Sequence, residues 1–273
     1  MKYKKTIPFI LLALIINFNA FCNEITKTPF ILGDTLSFQS SILGQKREIN
    51  VYLPEGYKHN GEQTYPVIYL LDGSKEEDFI HIAGLVQFGS FSSLKMLPKS
   101  IVVGIANIDR KHDYTPPSTH PLDIRDLPTH GGSAKFIQFI GKELQPLVNK
   151  TYRSNQENTL IGQSLGGLLA TEILLKHPQL FSRYIIISPS MWFNDAKLLN
   201  NPVSPTHSPK AVYVAVGKEG KVMEEGAKQV YNKLKKELPT SSQVNFTYFE
   251  QLDYNETLHL AVYDAFKQFY MEQ

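Results

Sequence analysis

The 273-residue chain carries one cysteine, Cys22, and one tryptophan, Trp192. A lone cysteine closes no disulfide within the chain, so stability must come from an apolar core. Long hydrophobic runs are also missing. The most apolar stretch, Ile7 to Ile16, is about ten residues long, against the roughly 20 that a membrane helix needs. No Gly/Ser linker, low-complexity tract or internal repeat divides the sequence. No His, Asp and Glu residues cluster at metal-ligand spacing, which argues against a metal hydrolase and leaves no metal or cofactor to expect. Charge of one sign is lacking too, with 28 Lys and Arg against 26 Asp and Glu.

What is present begins with a leader. Met1-Lys2-Tyr3-Lys4-Lys5 is a charged n-region, Ile7 to Ile16 an h-region, and Ala20-Phe21-Cys22 a short c-region. This is the pattern of a secretory signal peptide over residues 1–22, cut after Cys22 with Ala20 at the −3 position. A lipoprotein with Cys22 lipidated is the rival reading, and the bulk of Phe21 argues against it. The remainder, residues 23–273, reads as a single domain in the periplasm or outside the cell, with no membrane insertion after cleavage. Loss of Lys2, Lys4 and Lys5 with no acid takes the formal charge from +2 to −1. No basic stripe remains, so nucleic acid is not an expected partner. Oligomeric state is not legible.

Thr35 to Ser40 and Arg47 to Leu53 alternate polar and apolar residues and are joined through Leu43-Gly44-Gln45, the pattern of an antiparallel hairpin. Six apolar runs follow: Val67 to Leu71, Ile101 to Ile105, Thr159 to Ile161, Tyr184 to Ile187, Ala211 to Val216 and Val244 to Phe249. Helical periodicity separates most of them, over Ser133 to Val148, Leu165 to Lys176, Met223 to Leu238 and Leu260 to Tyr270. Strands alternating with helices predict an α/β fold: a mostly parallel central sheet, led by the hairpin, with helices on both faces. In open parallel sheets ligands bind at the carboxyl ends of the strands.

At one such end stands Gly162-Gln163-Ser164-Leu165-Gly166. A G-x-S-x-G between a strand and a helix is a nucleophile elbow, a turn so tight that its glycines are expected to avoid Cβ clashes while Ser164 Oγ points out of the sheet. A serine hydroxyl needs a base, and the fold places the triad in the order Ser, acid, His. Of the histidines after Ser164, His177 ends a helix and His207 lies in a Pro/Ser-rich loop. His259 follows the last strand and is read as the base. Glu219, in the turn after the Ala211 to Val216 strand, is the candidate acid. Glu224, Glu225, Asp195 and Asp253 are rivals, and a dyad without an acid is open. The oxyanion hole is expected from the N–H of Leu165 and that of Gly73 or Ser74. Arg110 either grips an anionic substrate group or is an ordinary surface arginine. Trp192 either walls a substrate pocket or fills the core.

Several stretches carry a resemblance: Tyr69-Leu70-Leu71-Asp72-Gly73, Val103 to Arg110, Gly131 to Phe136, Ile161 to Gly167 and Ile187-Ser188-Pro189-Ser190-Met191-Trp192. Together they resemble the branch of the α/β hydrolases that includes esterase D, the antigen 85-type mycolyltransferases and the enterobactin/salmochelin esterases, most of all its siderophore-esterase-like members. The resemblance implies an α/β-hydrolase fold, Ser164 as nucleophile, His259 as base, Leu165 N–H in the hole and a small-molecule ester as partner. It leaves the acid loosely defined. One departure concerns the histidine, which in that family often precedes Gly or Ser and here precedes Leu260. The expected activity is that of a serine esterase. Acyl transfer with the same triad, or a binding protein on the same scaffold, are the alternatives.

Overall fold

The computed structural model describes residues 25–204 and 207–271. The leader expected over residues 1–22 lies outside them. Two units are distinguished along the chain, Met1–Ile31 and Leu32–Gln273. The described part of the first, residues 25–31, contains no helix or strand. The second holds the sheet.

Eight strands form that sheet: β1 (Asp34–Gln39), β2 (Lys46–Tyr52), β3 (Tyr65–Leu70), β4 (Ile101–Ile105), β5 (Ser154–Gln163), β6 (Arg183–Ile187), β7 (Ala211–Gly217) and β8 (Gln243–Phe249). Their spatial order is β1-β2-β4-β3-β5-β6-β7-β8. The expected hairpin is present, with Asp34 opposite Val51 and Gln39 opposite Lys46. β2 also runs antiparallel to β4, and every later pairing is parallel. The chain moves outward from β3 to β4, then returns to lay β5 on the other side of β3. That reversal opens a crevice at the carboxyl ends of β3 and β5, where Asp72 and Ser164 stand.

The central strands β3, β4, β6 and β7 bury both faces, so their apolar residues are nearly continuous. Side chains alternate between two cores. Ile68, Leu70, Val102, Ile161 and Ile185 pack under α1 (Phe79–Gly89) and α8 (Tyr254–Tyr270). Val67, Tyr69, Val103, Leu160 and Ile186 pack on the opposite face against α4 (Ser133–Phe139), α6 (Leu165–Lys176) and α7 (Lys221–Glu237). Two short helices, α2 (Arg110–Asp113) and α3 (Pro121–Asp126), lie between β4 and α4, and α5 (Gln145–Thr151) completes the set.

Two expected helices differ in detail. The segment read as one helix over Ser133 to Val148 is α4 and α5 joined by a π-turn, Ile140–Leu144. Pro146 lies just beyond it. A proline lacks the N–H and crowds the carbonyl four residues back, which a widened turn accommodates. The last helix starts at Tyr254 rather than near Leu260. Asp253 caps it, accepting from the N–H groups of Asn255 and Glu256, and Glu256 returns a bond to the Asp253 N–H. This reciprocal pair is a capping box, and it carries the helix six residues further back.

Candidate active site

Ser164 sits between β5 and α6 with φ 58° and ψ −119°. That left-handed φ is costly for a residue with a Cβ and persists only where the surroundings enforce it. Backbone bonds do so here. The Ser164 N–H donates to the Ile187 carbonyl at 3.1 Å, and the Ser164 carbonyl accepts from Leu168 at 2.9 Å and from Ser190 at 3.0 Å. The two elbow glycines differ in role. A Cβ on Gly162 would overlap the carbonyl of Gly166, so position 162 admits only glycine. A Cβ on Gly166 would meet nothing nearer than Asp72 Oδ2 at 3.4 Å, an ordinary contact. The constraint expected of both glycines therefore belongs to Gly162, against which the Gly166 backbone packs.

Ser164 opens onto a cavity of about 480 Å³ lined also by Trp192, Lys218, Glu219, Met223, Asp253, Tyr254 and Asn255. Trp192 is 42% exposed and so is a wall of this cavity rather than a core residue. Glu219 holds Oε1 between the Ser188 hydroxyl at 2.6 Å and the Gly217 N–H at 2.9 Å. Its other oxygen, Oε2, is buried and without a partner among the described residues. A buried carboxylate oxygen lacking a donor is unfavourable, and in a cavity it is an acceptor waiting for an N–H or O–H. Of the rival acids, Glu224 accepts from the Gly220 N–H and Asp195 lies 3.5 Å from His120 Nε2. Asp253 caps α8 from the edge of the cavity.

The imidazole is elsewhere. The hydroxyl of Ser164 is paired with that of Ser190, 3.1 Å away. His259 lies in the second turn of α8, on the side that meets α1. Its Nε2 is 3.4 Å from Asp78 Oδ1, and its ring lies against His81 with centroids 3.8 Å apart and planes tilted by 41°. The capping box explains this placement. With α8 beginning at Tyr254, the residues that line the Ser164 cavity from that segment are Asp253, Tyr254 and Asn255, and His259 lies more than a turn further on. Ser164, Glu219 and Trp192 thus line one cavity, and among the described residues His259 makes no hydrogen bond to Ser164.

The expected oxyanion donors also separate. Leu165 is the first residue of α6, where the N–H has no acceptor within the helix. The Gly73 N–H is spent on the Ile105 carbonyl at 3.0 Å, and Gly73 packs directly on Gly104 of β4. Its N–H is therefore already paired and is not free for an oxyanion. The Ser74 N–H is held by Glu77 Oε2 at 3.1 Å, a side-chain contact that can open.

Arg110 fits neither of its expected roles. Its Nε and Nη2 fork onto both oxygens of Asp72 at 2.6 and 2.9 Å, and Nη2 reaches the Gln163 carbonyl at 3.3 Å. Burial works against the guanidinium charge, but the hydrogen bonds and charge of Asp72 outweigh it and raise the pKa, so Arg110 stays cationic. The Asp72 N–H donates to the Tyr114 hydroxyl, which burial keeps neutral. Arg110 therefore ties the end of β3 to the residue before the nucleophile. Sequence reasoning passed over Asp72, Ser188, Ser190 and Tyr254. All but Tyr254 lie in stretches that carried the resemblance, which was the available signal.

Against this geometry, the family model described as "Putative esterase" matches residues 40–259. The chain belongs to this esterase family. Among curated proteins, the ferri-bacillibactin esterase BesA of Bacillus subtilis is 28% identical over 187 residues, 64% of this chain and 64% of that one. An IroE-like serine hydrolase from Shewanella oneidensis superposes with a TM-score of 0.76 at 29% identity, covering 88% of this chain and 80% of its own. The BES protein of Bacillus cereus does so at 0.75 and 25%, covering 89% and 97%. The fold is that of the α/β-hydrolase esterases. No helix among the described residues is long and apolar enough to cross a membrane.

Proposed function

We propose that this esterase is an exported serine carboxylesterase that works through an acyl-enzyme. Ser164 Oγ attacks the ester carbonyl, its proton passes through a base to the departing alcohol, and water then hydrolyses the acyl-serine. The strained Ser164 over a cavity shared with Glu219 is the observation that carries this reading. The Leu165 N–H supports the oxyanion, and Ser74 joins it when Glu77 releases its backbone. Glu219 Oε2 is the acceptor for the base's N–H. His259 takes the part of base only by leaving Asp78 and His81 and swinging over the cavity, which requires the first turn of α8 to open. The substrate class we favour is a bulky polar ester of the siderophore type. The name of the relative BesA supports it, as do Lys218, Asp253 and Asn255 beside Trp192 and Tyr254.

The test is hydrolysis of p-nitrophenyl acetate and of an ester library that includes catecholate siderophore esters. Ser164→Ala is expected to abolish turnover, and full activity in that variant refutes the serine mechanism. His259→Gln is expected to lower kcat by several orders of magnitude if the swing occurs. Unchanged kcat removes His259 from the mechanism. One observation favours a second reading: the nucleophile is paired with Ser190 and not with an imidazole. A binding protein on the hydrolase scaffold would take up such esters and never be labelled by a fluorophosphonate.

A further inference from the structure

The turn that follows β6, Ser188-Pro189-Ser190, has no part in the reaction as outlined, yet it touches both ends of the site. Ser188 and Ser190 are completely buried. A buried hydroxyl is unfavourable unless bonded, and each has one notable partner. The Ser188 hydroxyl donates to Glu219 Oε1 at 2.6 Å, and the Ser190 hydroxyl meets Ser164 Oγ at 3.1 Å. The backbone is stitched in the same sense. Ser164 donates to Ile187, Ser190 donates back to the Ser164 carbonyl, and the Ser188 N–H is anchored on Ala215 of β7 at 2.8 Å. Ser188 has φ 44°, a second left-handed non-glycine residue beside the left-handed Ser164. Such strain is retained only where neighbouring contacts over-determine it.

We propose that Ser188-Pro189-Ser190 is the positioning element of this site: Ser190 orients the nucleophile hydroxyl and Ser188 orients the Glu219 carboxylate. The inference rests on the reading of Ser164 as nucleophile and Glu219 as acid. The physical basis is rotameric. An unbonded serine Oγ samples three staggered wells, of which one serves the reaction. A proton donated by Ser190 to a lone pair of Ser164 Oγ selects one well and leaves the Ser164 proton free for the base. On the other side, Ser188 and the Gly217 N–H both bond Oε1 and fix the carboxylate, leaving Oε2 as the buried oxygen without a donor among the described residues. Neither serine touches the reacting carbon, and both act through another residue.

The experiment is a kinetic comparison of Ser190→Ala, Ser190→Thr and Ser188→Ala in the full chain, with fluorophosphonate labelling of Ser164 as a direct readout. Ser190→Ala is expected to lower both kcat and the labelling rate by about three- to tenfold, with KM within about twofold. Ser190→Thr keeps the hydroxyl and should restore most of the loss. Ser188→Ala should lower kcat in the native background and add nothing in a Glu219→Gln background, the non-additivity of residues acting as a unit. A purely structural role would lower the urea midpoint while leaving kcat of the folded fraction intact. That outcome, or a Ser190→Ala enzyme labelled as fast as the native one, overturns the proposal. If Ser190→Ala does not fold, Ser190→Cys serves, and native-rate labelling by it with no hydroxyl present is equally fatal. If the native protein is never labelled and Ser164→Ala keeps full activity, the serine mechanism itself has failed. Labelling of Ser164 that is indifferent to Ser190 sinks this proposal alone.

Discussion

Replacing Arg110 by methionine removes the fork that joins Asp72 to the carbonyl before the nucleophile while keeping the length of the side chain. Two charge-assisted bonds, at 2.6 and 2.9 Å, disappear together with the 3.3 Å contact to Gln163. Hydrogen bonds to charged groups contribute about 1.5–3 kcal/mol each, net of the water they replace, and less where the partners stay partly exposed. Arg110 keeps 33% of its side chain exposed and Asp72 only 13%, so the discount falls mainly on the arginine. Asp72 would keep the Asn107 amide at 2.6 Å as its remaining side-chain donor. The balance is a loss of about 2 kcal/mol in unfolding free energy, read from the urea midpoint at unchanged slope. Freed of its brace, the Gln163 carbonyl no longer pins the elbow from that side. kcat should fall by about five- to tenfold for neutral and anionic esters alike, with KM little moved.

The same variant separates bracing from substrate grip. A gripping arginine would raise KM for anionic esters about tenfold and spare short neutral ones. Arg110→Lys should behave like the methionine variant, because an ammonium cannot supply two parallel donors. Loss of less than about 0.5 kcal/mol together with a selective rise in KM for anionic esters would refute the bracing argument.

Two further predictions concern what holds the frame. Arg47 and Asp113 form a pair with 0% and 2% of their side chains exposed, the guanidinium lying over the rings of Phe136 and Phe139. Burial raises the Asp113 pKa and Arg47 offsets this only in part. Asp113→Ala should therefore cost about 3–5 kcal/mol by stranding the arginine, while the double change Arg47→Met with Asp113→Leu should recover most of that in urea denaturation. At the opposite end of the sheet, Glu157 is bonded by Arg183 at 3.1 Å and Lys210 at 2.6 Å. Burial acts to raise its pKa, but these bonds outweigh it and the net shift is downward. Its contribution is then present above the ordinary glutamate value and is lost as pH falls from there through the lowered folded-state value. Glu157→Gln should lower stability by about 0.5–1 kcal/mol at pH 7 and make the acid limb of the thermal midpoint curve shallower. An unaltered acid limb would remove Glu157 from that balance.

The sheet was legible because its signals are local. Buried parallel strands must be apolar over their whole length, and each of the six runs became a strand. The elbow was legible for a related reason. Its motif is written within five residues, where the Gly166 carbonyl leaves position 162 room for glycine alone, although the turn itself is also held by bonds to Ile187 and Ser190. Arg110 was not legible. A stretch carrying Asp109, Arg110, Lys111, His112 and Asp113 reads as a solvated loop, but its charges are matched by Asp72 and Arg47, 38 and 66 residues away. Periodicity carries no information about such pairs.

His259 shows the sharper lesson, because the signal that moves it was in the sequence. Asp253-Tyr254-Asn255-Glu256 has an acid at the cap and a glutamate three residues on, the spacing that starts a helix. Reading the helix from Leu260 makes His259 the last loop residue after β8, where a base would reach Ser164. Reading it from Tyr254 turns the same histidine through a full helical turn toward α1, into contact with Asp78 and His81, and leaves Tyr254 at the cavity. The nucleophile and acid sides of the site are set by strand ends that the sheet holds in register. The base side is set by where one helix begins. A cap substitution bears on this directly. Asp253→Ala removes the side-chain acceptor of the Asn255 and Glu256 N–H groups and leaves the backbone N–H bond to Glu256 in place, at a cost of about 1 kcal/mol confined to that turn. If His259 serves Ser164 through opening of the turn, Asp253→Ala should raise kcat or the labelling rate while lowering the thermal midpoint slightly. A lower midpoint with no gain in either rate would mean that the first turn of α8 does not gate the base, and that His259 belongs to the contact between α1 and α8 alone.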